Sequence, residues 1–212
     1  MVAAPSMTLY FNALSPYARK VLVLLHETDQ TEKVTLLLVT PTPVTPDPEL
    51  CNDNPAGKLP ALRLADGNVI HDSRVILDYL DHQHSGTPLI PRSGSARWRR
   101  LTLASLADAL LDAALLIRYE KGLRPESKHW HEWLDNQQAK IERALAYFEQ
   151  EAVTELSASF DIASISVAAA LGYLDLRQPD LGWRSSYPRL AAWYYEVSQR
   201  PSMLASQPPA VA

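Results

Sequence analysis

Cysteine is nearly missing from this sequence: Cys51 stands alone among 212 residues. One cysteine excludes an intrachain disulfide framework and any C-x-x-C redox pair. It fits a reducing compartment. A surplus of basic charge is missing too. Twenty Lys and Arg stand against 24 Asp and Glu, for a formal net charge of −4. Such a chain has no electrostatic footprint for nucleic acid. No apolar run approaches the roughly 18–20 residues of a membrane span. Met1–Ser6 carries no basic residue and no long apolar core, so it does not read as a secretory signal. Met7 is a second possible start, with Met1–Ser6 a ragged extension. There is no H-E-x-x-H and no internal repeat. His82/His84 and His129/His131 are spaced by two, on different sides of a helix. They read as surface histidines rather than metal ligands.

What is present is ordinary for a globular protein: 47% hydrophobic and 21% charged residues. The length suits one large domain or two small ones and allows a substantial core. Thr8–Phe11 reads as a short strand. Ser15 suits a helix N-cap and Pro16 the first helical position; the helix carries Val21–Leu25. Lys33–Val39 reads as a second strand. Pro41, Pro43, Pro46 and Pro48 then exclude a helix or central strand and predict an exposed loop. Ala61–Leu64 and Asn68–His71 read as a hairpin turned at Asp66-Gly67, and Asp72–His84 as a helix.

Ser85–Ser95 reads as a linker, after which strand signals vanish. Leu103, Leu106, Ala107, Leu110, Leu111, Ala114 and Leu115 keep helical spacing, and Arg124-Pro125 ends that helix. Further helices are expected over Ser127–Glu151, over Asp161–Leu176, rich in small residues, and over Tyr187–Gln199. The proline- and alanine-rich tail reads as loosely held.

One stretch organises the first half: Asn54-Pro55-Ala56-Gly57-Lys58-Leu59-Pro60-Ala61-Leu62. Pro60 cannot donate to a sheet ladder, so it belongs at a strand's first residue or edge. The Leu59 backbone is then open to an extended peptide, in the manner of an added strand. Upstream lies Ser15-Pro16-Tyr17-Ala18-Arg19-Lys20, a hydroxyl at a helix start. Downstream lies Asp72-Ser73-Arg74-Val75-Ile76 after a strand.

These three motifs, in this order and spacing, resemble the glutathione S-transferase family, closest to bacterial serine-type members of the YibF group, over about Met7 to Pro208. The resemblance implies an α/β plus all-α fold. A thioredoxin-like N-terminal domain of βαβ-ββα order would cover 1–84, a linker 85–95 and an all-helical domain 96–212. It implies a cytoplasmic, homodimeric enzyme that joins the thiolate of glutathione, its co-substrate, to a small electrophile in a detoxifying role. No metal, nucleic acid or membrane is implied. Alternatives on the same scaffold are a non-catalytic glutathione or ligand binder and a peroxidase, isomerase or dehalogenase variant. A thiol-disulfide oxidoreductase or lyase conflicts with the lack of a cysteine near Ser15.

The resemblance also assigns roles. Ser15 Oγ would donate to the glutathione sulfur, where it is otherwise an N-cap. Tyr10 is the rival, since some members use a tyrosine hydroxyl after the first strand, but the Ser-x-x-x-Arg spacing of Ser15 and Arg19 fits serine-type members better. Leu59, ahead of a cis Pro60, would pair with the cysteinyl backbone. Asp72 would accept from the γ-glutamyl ammonium, Ser73 would bind its carboxylate, and Lys58 would face the glycyl carboxylate. Leu111, Leu115, Arg118 and Tyr119 would line the acceptor pocket. Asp108 and Asp112, four apart, read as flanks of an apolar stripe rather than an acid/base pair. A capping box of Ser/Thr-x-x-Asp type is incomplete before the core helix, because Ala158 stands three residues ahead of Asp161.

Overall fold

A computed structural model of the protein describes residues 7–209. Met1–Ser6, and with it the choice of start, lies outside the described residues. The elements run β1 (Met7–Phe11), α1 (Pro16–Glu27), β2 (Val34–Leu38), α2 (Pro48–Asp53), β3 (Ala61–Arg63), β4 (Val69–Ile70), α3 (Ser73–Asp81), α4 (Gly94–Leu123), α5 (His131–Tyr147), α6 (Val153–Ala158), α7 (Ile162–Arg177), α8 (Trp183–Ser186), α9 (Pro188–Ser198) and α10 (Pro201–Ala205). Two compact units result. Of the described residues, one holds 7–88 together with 200–209; the other spans Leu89–Gln199.

The first unit is built on a four-stranded mixed sheet of order β2-β1-β3-β4. β1 runs parallel to β2 and antiparallel to β3. Successive strand residues point to opposite faces. Leu9 and Tyr10 are both fully buried, so both faces of β1 are covered. Tyr10 packs with Val39, Leu50 and Ala61, and Leu50 comes from α2. On the other side α1 and α3 pack against each other, burying Val21, Leu24, Ile76, Leu77 and Leu80. α2 was not expected as an element of its own. Asp47 caps it by accepting from Leu50 N–H at 2.8 Å, and Pro48 takes its first position. This is the same signal as Ser15-Pro16, hidden among the prolines of the loop.

The tail is not loosely held over its helix. Arg200 donates to both oxygens of Glu27, at 3.1 and 2.7 Å, and the Ser202 hydroxyl donates to Glu27 as well. Arg19 Nη2 donates to the Met203 carbonyl at 3.1 Å. Residues 200–209 therefore group with the first unit, not with the helical one as expected for 96–212. Burial pushes the Glu27 carboxyl up, but hydrogen bonds from Arg200 and Ser202 outweigh it and hold the group below the usual carboxylate range.

In the second unit α4 packs along α7 and α5. Most of the expected linker, 89–95, belongs here: the Leu89 carbonyl accepts from Ile162 N–H at 3.1 Å, and α4 begins at Gly94. α7 is buried from Ile162 to Leu174. Its Ala, Ser and Gly residues let neighbouring backbones come close. In place of a capping box, a single residue caps α7: Asp161 Oδ1 accepts from Ala163 and Ser164 N–H, and Arg100 and Ser159 donate to the same carboxylate. The helix expected from Ser127 starts at His131, after a one-turn 3-10 segment at Glu126–Lys128. It runs on past Glu151 through a π-turn at Phe148–Ala152 into α6.

Candidate functional site

Strand register brings three distant segments to one end of the sheet. β1 pairs Tyr10 with Ala61, the first residue of β3. The two strands are antiparallel, so the chain enters β3 through Leu59 and Pro60 where β1 leaves for Ser15. Leu62 pairs with Ile70, so the chain leaves β4 for Asp72 and Ser73 at that same end. α1 and α3 both begin there. Each aims unsatisfied N–H groups and the positive end of its dipole at the site, which favours bound anions.

Ser15 is half-buried, and its Oγ accepts from Ala18 N–H at 3.2 Å. As an N-cap the hydroxyl spends a lone pair and keeps its proton to donate. Arg19 of the Ser-x-x-x-Arg spacing is buried and ties α10 to α1.

The loop before β3 is shaped by Asn54, which sequence reasoning left without a role. Asn54 is buried; its Nδ2 donates to the Lys58 carbonyl at 2.8 Å and its Oδ1 accepts from Ala56 N–H at 3.0 Å. Gly57 closes the turn at φ +59°, and a Cβ there would press on Cys51 Sγ. An Asn followed by Pro and Gly was the available signal. The Leu59–Pro60 bond is cis. Of the two settings expected for Pro60, a strand's first residue or an edge, the structure shows the start of a strand: Pro60 stands just before β3, an inner strand, and Leu59 lies beyond the sheet's pairing.

Asp72 is the N-cap of α3, its Oδ1 accepting from Arg74 N–H at 2.9 Å. Its carboxylate is exposed, whereas Ser73 is buried. Lys58 is exposed.

Tyr10 stands apart from this arrangement. It is fully buried, and its hydroxyl donates to Asp53 at 2.9 Å and Glu49 at 3.2 Å while accepting from Arg63. Arg63 also pairs with Asp53 at 2.6 Å. That network holds α2 on the sheet.

Of the expected acceptor residues, Leu111 is fully buried in the helical core, which removes it from any open wall. Leu115 and Tyr119 are half-buried and Arg118 is exposed. Asp108 is buried and Asp112 exposed, so they do not act as a matched pair on one open face. His82 contacts the Asp78 carbonyl and His84 the Asp81 carboxylate. Among the described residues no group of three or more His, Cys, Asp or Glu could hold a metal ion, and no helix is long and apolar enough to cross a membrane.

A sheet of this order with helices on both faces, followed by an all-helical unit, is a thioredoxin-like domain joined to a helical one. Comparison with known proteins narrows this. The model for the glutathione S-transferase N-terminal domain matches residues 14–83, and that for the C-terminal domain matches 131–194. A glutathione transferase family member from Pseudomonas fluorescens Pf-5, solved with bound glutathione, is 64% identical, covers 96% of this chain and 100% of its own, and superposes with a TM-score of 0.96. A second structure of that same family member, with bound S-(propanoic acid)-glutathione, is 62% identical over the same shares, with a TM-score of 0.91. The GST-like protein YibF of Escherichia coli K12, itself uncharacterised, is 29% identical over 96% of this chain and 99% of its own. The chain belongs to the glutathione S-transferase family.

Proposed function

We propose that this protein binds glutathione and transfers its thiolate to small electrophiles, as a homodimer in the reducing cytoplasm. The observation that carries the reading is the meeting of Ser15, Leu59 and Asp72–Ser73 at one end of the sheet, with a proton-bearing hydroxyl at the start of α1. Glutathione needs such a site. A free thiol has a pKa near 8.5 and is only a few per cent ionised at neutral pH. Ser15 Oγ donates to the sulfur, and the end of α1 adds to the preference for the thiolate. Leu59 pairs with the cysteinyl backbone. Asp72 accepts from the ammonium, the start of α3 with Ser73 holds the γ-glutamyl carboxylate, and Lys58 faces the glycyl carboxylate. Tyr10 is already committed to Arg63, Asp53 and Glu49.

One relative, 64% and 62% identical in its two structures, binds glutathione and the thioether S-(propanoic acid)-glutathione. This supports a site for glutathione and its S-substituted forms. The test is calorimetry with glutathione beside a conjugation assay on an activated aryl halide. Binding with turnover that depends on Ser15 supports the proposal. Binding with no turnover above the uncatalysed rate would leave a glutathione-binding protein instead, and no binding at millimolar glutathione would overturn both.

A further inference from the structure

Two loops of the first unit carry the proposed contacts to the glutathione sulfur and cysteinyl backbone, and both are folded by the same device. After β1 the chain turns through Asn12–Ser15. Ser15 N–H donates to the Asn12 carbonyl at 2.9 Å, and Asn12 Oδ1 accepts from Leu14 N–H at 2.9 Å. Asn12 Nδ2 then donates to the Val39 carbonyl at 3.1 Å. Before β3, Gly57 N–H donates to the Asn54 carbonyl at 2.7 Å, and Asn54 Oδ1 accepts from Ala56 N–H at 3.0 Å. Asn54 Nδ2 donates to the Lys58 carbonyl at 2.8 Å. Each asparagine closes a turn with its backbone, holds the residue two further on with Oδ1, and ties the turn to another carbonyl with Nδ2.

The first two bonds are what a turn needs, and Asp or Ser makes them too. The asparagine amide adds a donor while its oxygen is engaged. In the first loop that donor extends the sheet. Val39 N–H donates to the Phe11 carbonyl at 3.0 Å. The next rung of a parallel ladder would run from Ala13 N–H to the Val39 carbonyl. Asn12 Nδ2 takes its place, so the chain leaves β1 while the turn that ends at Ser15 stays fixed to Val39. In the second loop the donor orients a peptide. The Lys58–Leu59 bond is trans, and a planar trans peptide points its C=O and N–H opposite ways. With the Lys58 carbonyl held by Asn54, Leu59 N–H faces away from Asn54.

We propose that Asn12 and Asn54 are positioning residues with divided roles: Asn12 sets the Ser15 hydroxyl against the glutathione sulfur, and Asn54 aims the Leu59 backbone at the cysteinyl part. Both roles rest on the transferase reading and deepen it.

The test measures glutathione binding by calorimetry and the pKa of the bound thiol by thiolate absorbance against pH, in wild type, Ser15→Ala, Asn12→Ser and Asn54→Ser. Serine keeps a hydroxyl for the N–H two residues on, is too short to reach the second carbonyl and brings no charge. Urea melts read stability separately, and both readouts are taken per folded molecule. Asn12→Ser raises the bound thiol's pKa by about half to one unit, a thiolate-to-thiol ratio about three- to tenfold smaller, and leaves the glutathione Kd within about twofold. Asn54→Ser weakens glutathione about tenfold, the worth of one hydrogen bond, and leaves the bound thiol's pKa in place. In turnover the first loss falls on kcat at neutral pH and the second on KM for glutathione. Should Asn54→Ser not fold, Asn54→Asp, which keeps the shape and the bond from Ala56 N–H, takes its place. Asparagines that only stabilise their loops would shift the melts and neither quantity. That result, or one and the same shift in both variants, would overturn the proposal. If Ser15→Ala raises the thiol pKa while Asn12→Ser and Asn54→Ser change nothing, the positioning roles alone fall. If the wild type does not bind glutathione, the transferase reading falls and takes them with it.

Discussion

Replacing Ser15 separates its two jobs. Its Oγ already accepts from Ala18 N–H, so Ser15→Ala removes a helix cap and costs about 1 kcal/mol of stability. It also removes the proposed donor to the glutathione sulfur. A hydrogen bond to a charged acceptor is worth about 1.5–3 kcal/mol net. At 1.36 kcal/mol per pH unit, its loss raises the pKa of the bound thiol by about one to two units. The end of α1 remains and retains about 0.3–1 kcal/mol of thiolate preference. Ser15→Asp is the control. It restores a cap acceptor, and α1 has no acidic residue in its first turn to repel it, but it brings no proton and sets a negative charge beside the sulfur. Thiolate absorbance followed against pH in the glutathione complex reads the pKa; urea melts read stability. Ser15→Asp should melt later than Ser15→Ala while its bound thiol is at least as hard to ionise. A thiol pKa in Ser15→Ala unchanged from wild type would refute the reasoning, because Ser15 would then be a cap and nothing more.

Tyr10→Phe breaks the hydroxyl's contacts with Asp53, Glu49 and Arg63 and should cost about 1–3 kcal/mol in urea melts, yet leave conjugation within about twofold of wild type at fixed folded fraction. Glu27 has a folded pKa below its unfolded one. Its contribution is therefore present above the unfolded pKa and lost as pH falls through the folded one; Glu27→Gln should flatten that acid limb of the stability curve. Tyr173 is the opposite case, raised from 10.0 to about 12. Its contribution is complete below pH 10 and lost between about pH 10 and 12, at most about 2–3 kcal/mol, and Tyr173→Phe should remove the drop. Asp161→Ala takes the cap from α7 and leaves Arg100, 8% exposed, without its carboxylate, for a loss of about 3–5 kcal/mol in urea melts.

The thioredoxin-like order and the long helix through Leu103–Leu115 were legible because periodicity, N-caps and the Asp66-Gly67 turn are local signals. The three site segments were legible as motifs. Their meeting depends on strand register, which Tyr10 opposite Ala61 and Leu62 opposite Ile70 fix only in three dimensions. What escaped were long-range polar contacts. Arg19 reads as a family marker, yet it holds the tail 184 residues away. Tyr10 reads as a rival donor until Arg63, Asp53 and Glu49 are seen around it. α2 was masked by prolines that read as a loop, and Leu111 looked like a pocket wall because helical spacing cannot separate a buried stripe from a lining one.

The most direct measurement is the structure of the protein with glutathione bound. The account predicts the sulfur at hydrogen-bonding distance from Ser15 Oγ, the cysteinyl backbone paired with Leu59, and the γ-glutamyl group at Asp72 and Ser73. A sulfur turned away from Ser15, or a tripeptide bound elsewhere on the chain, would contradict it.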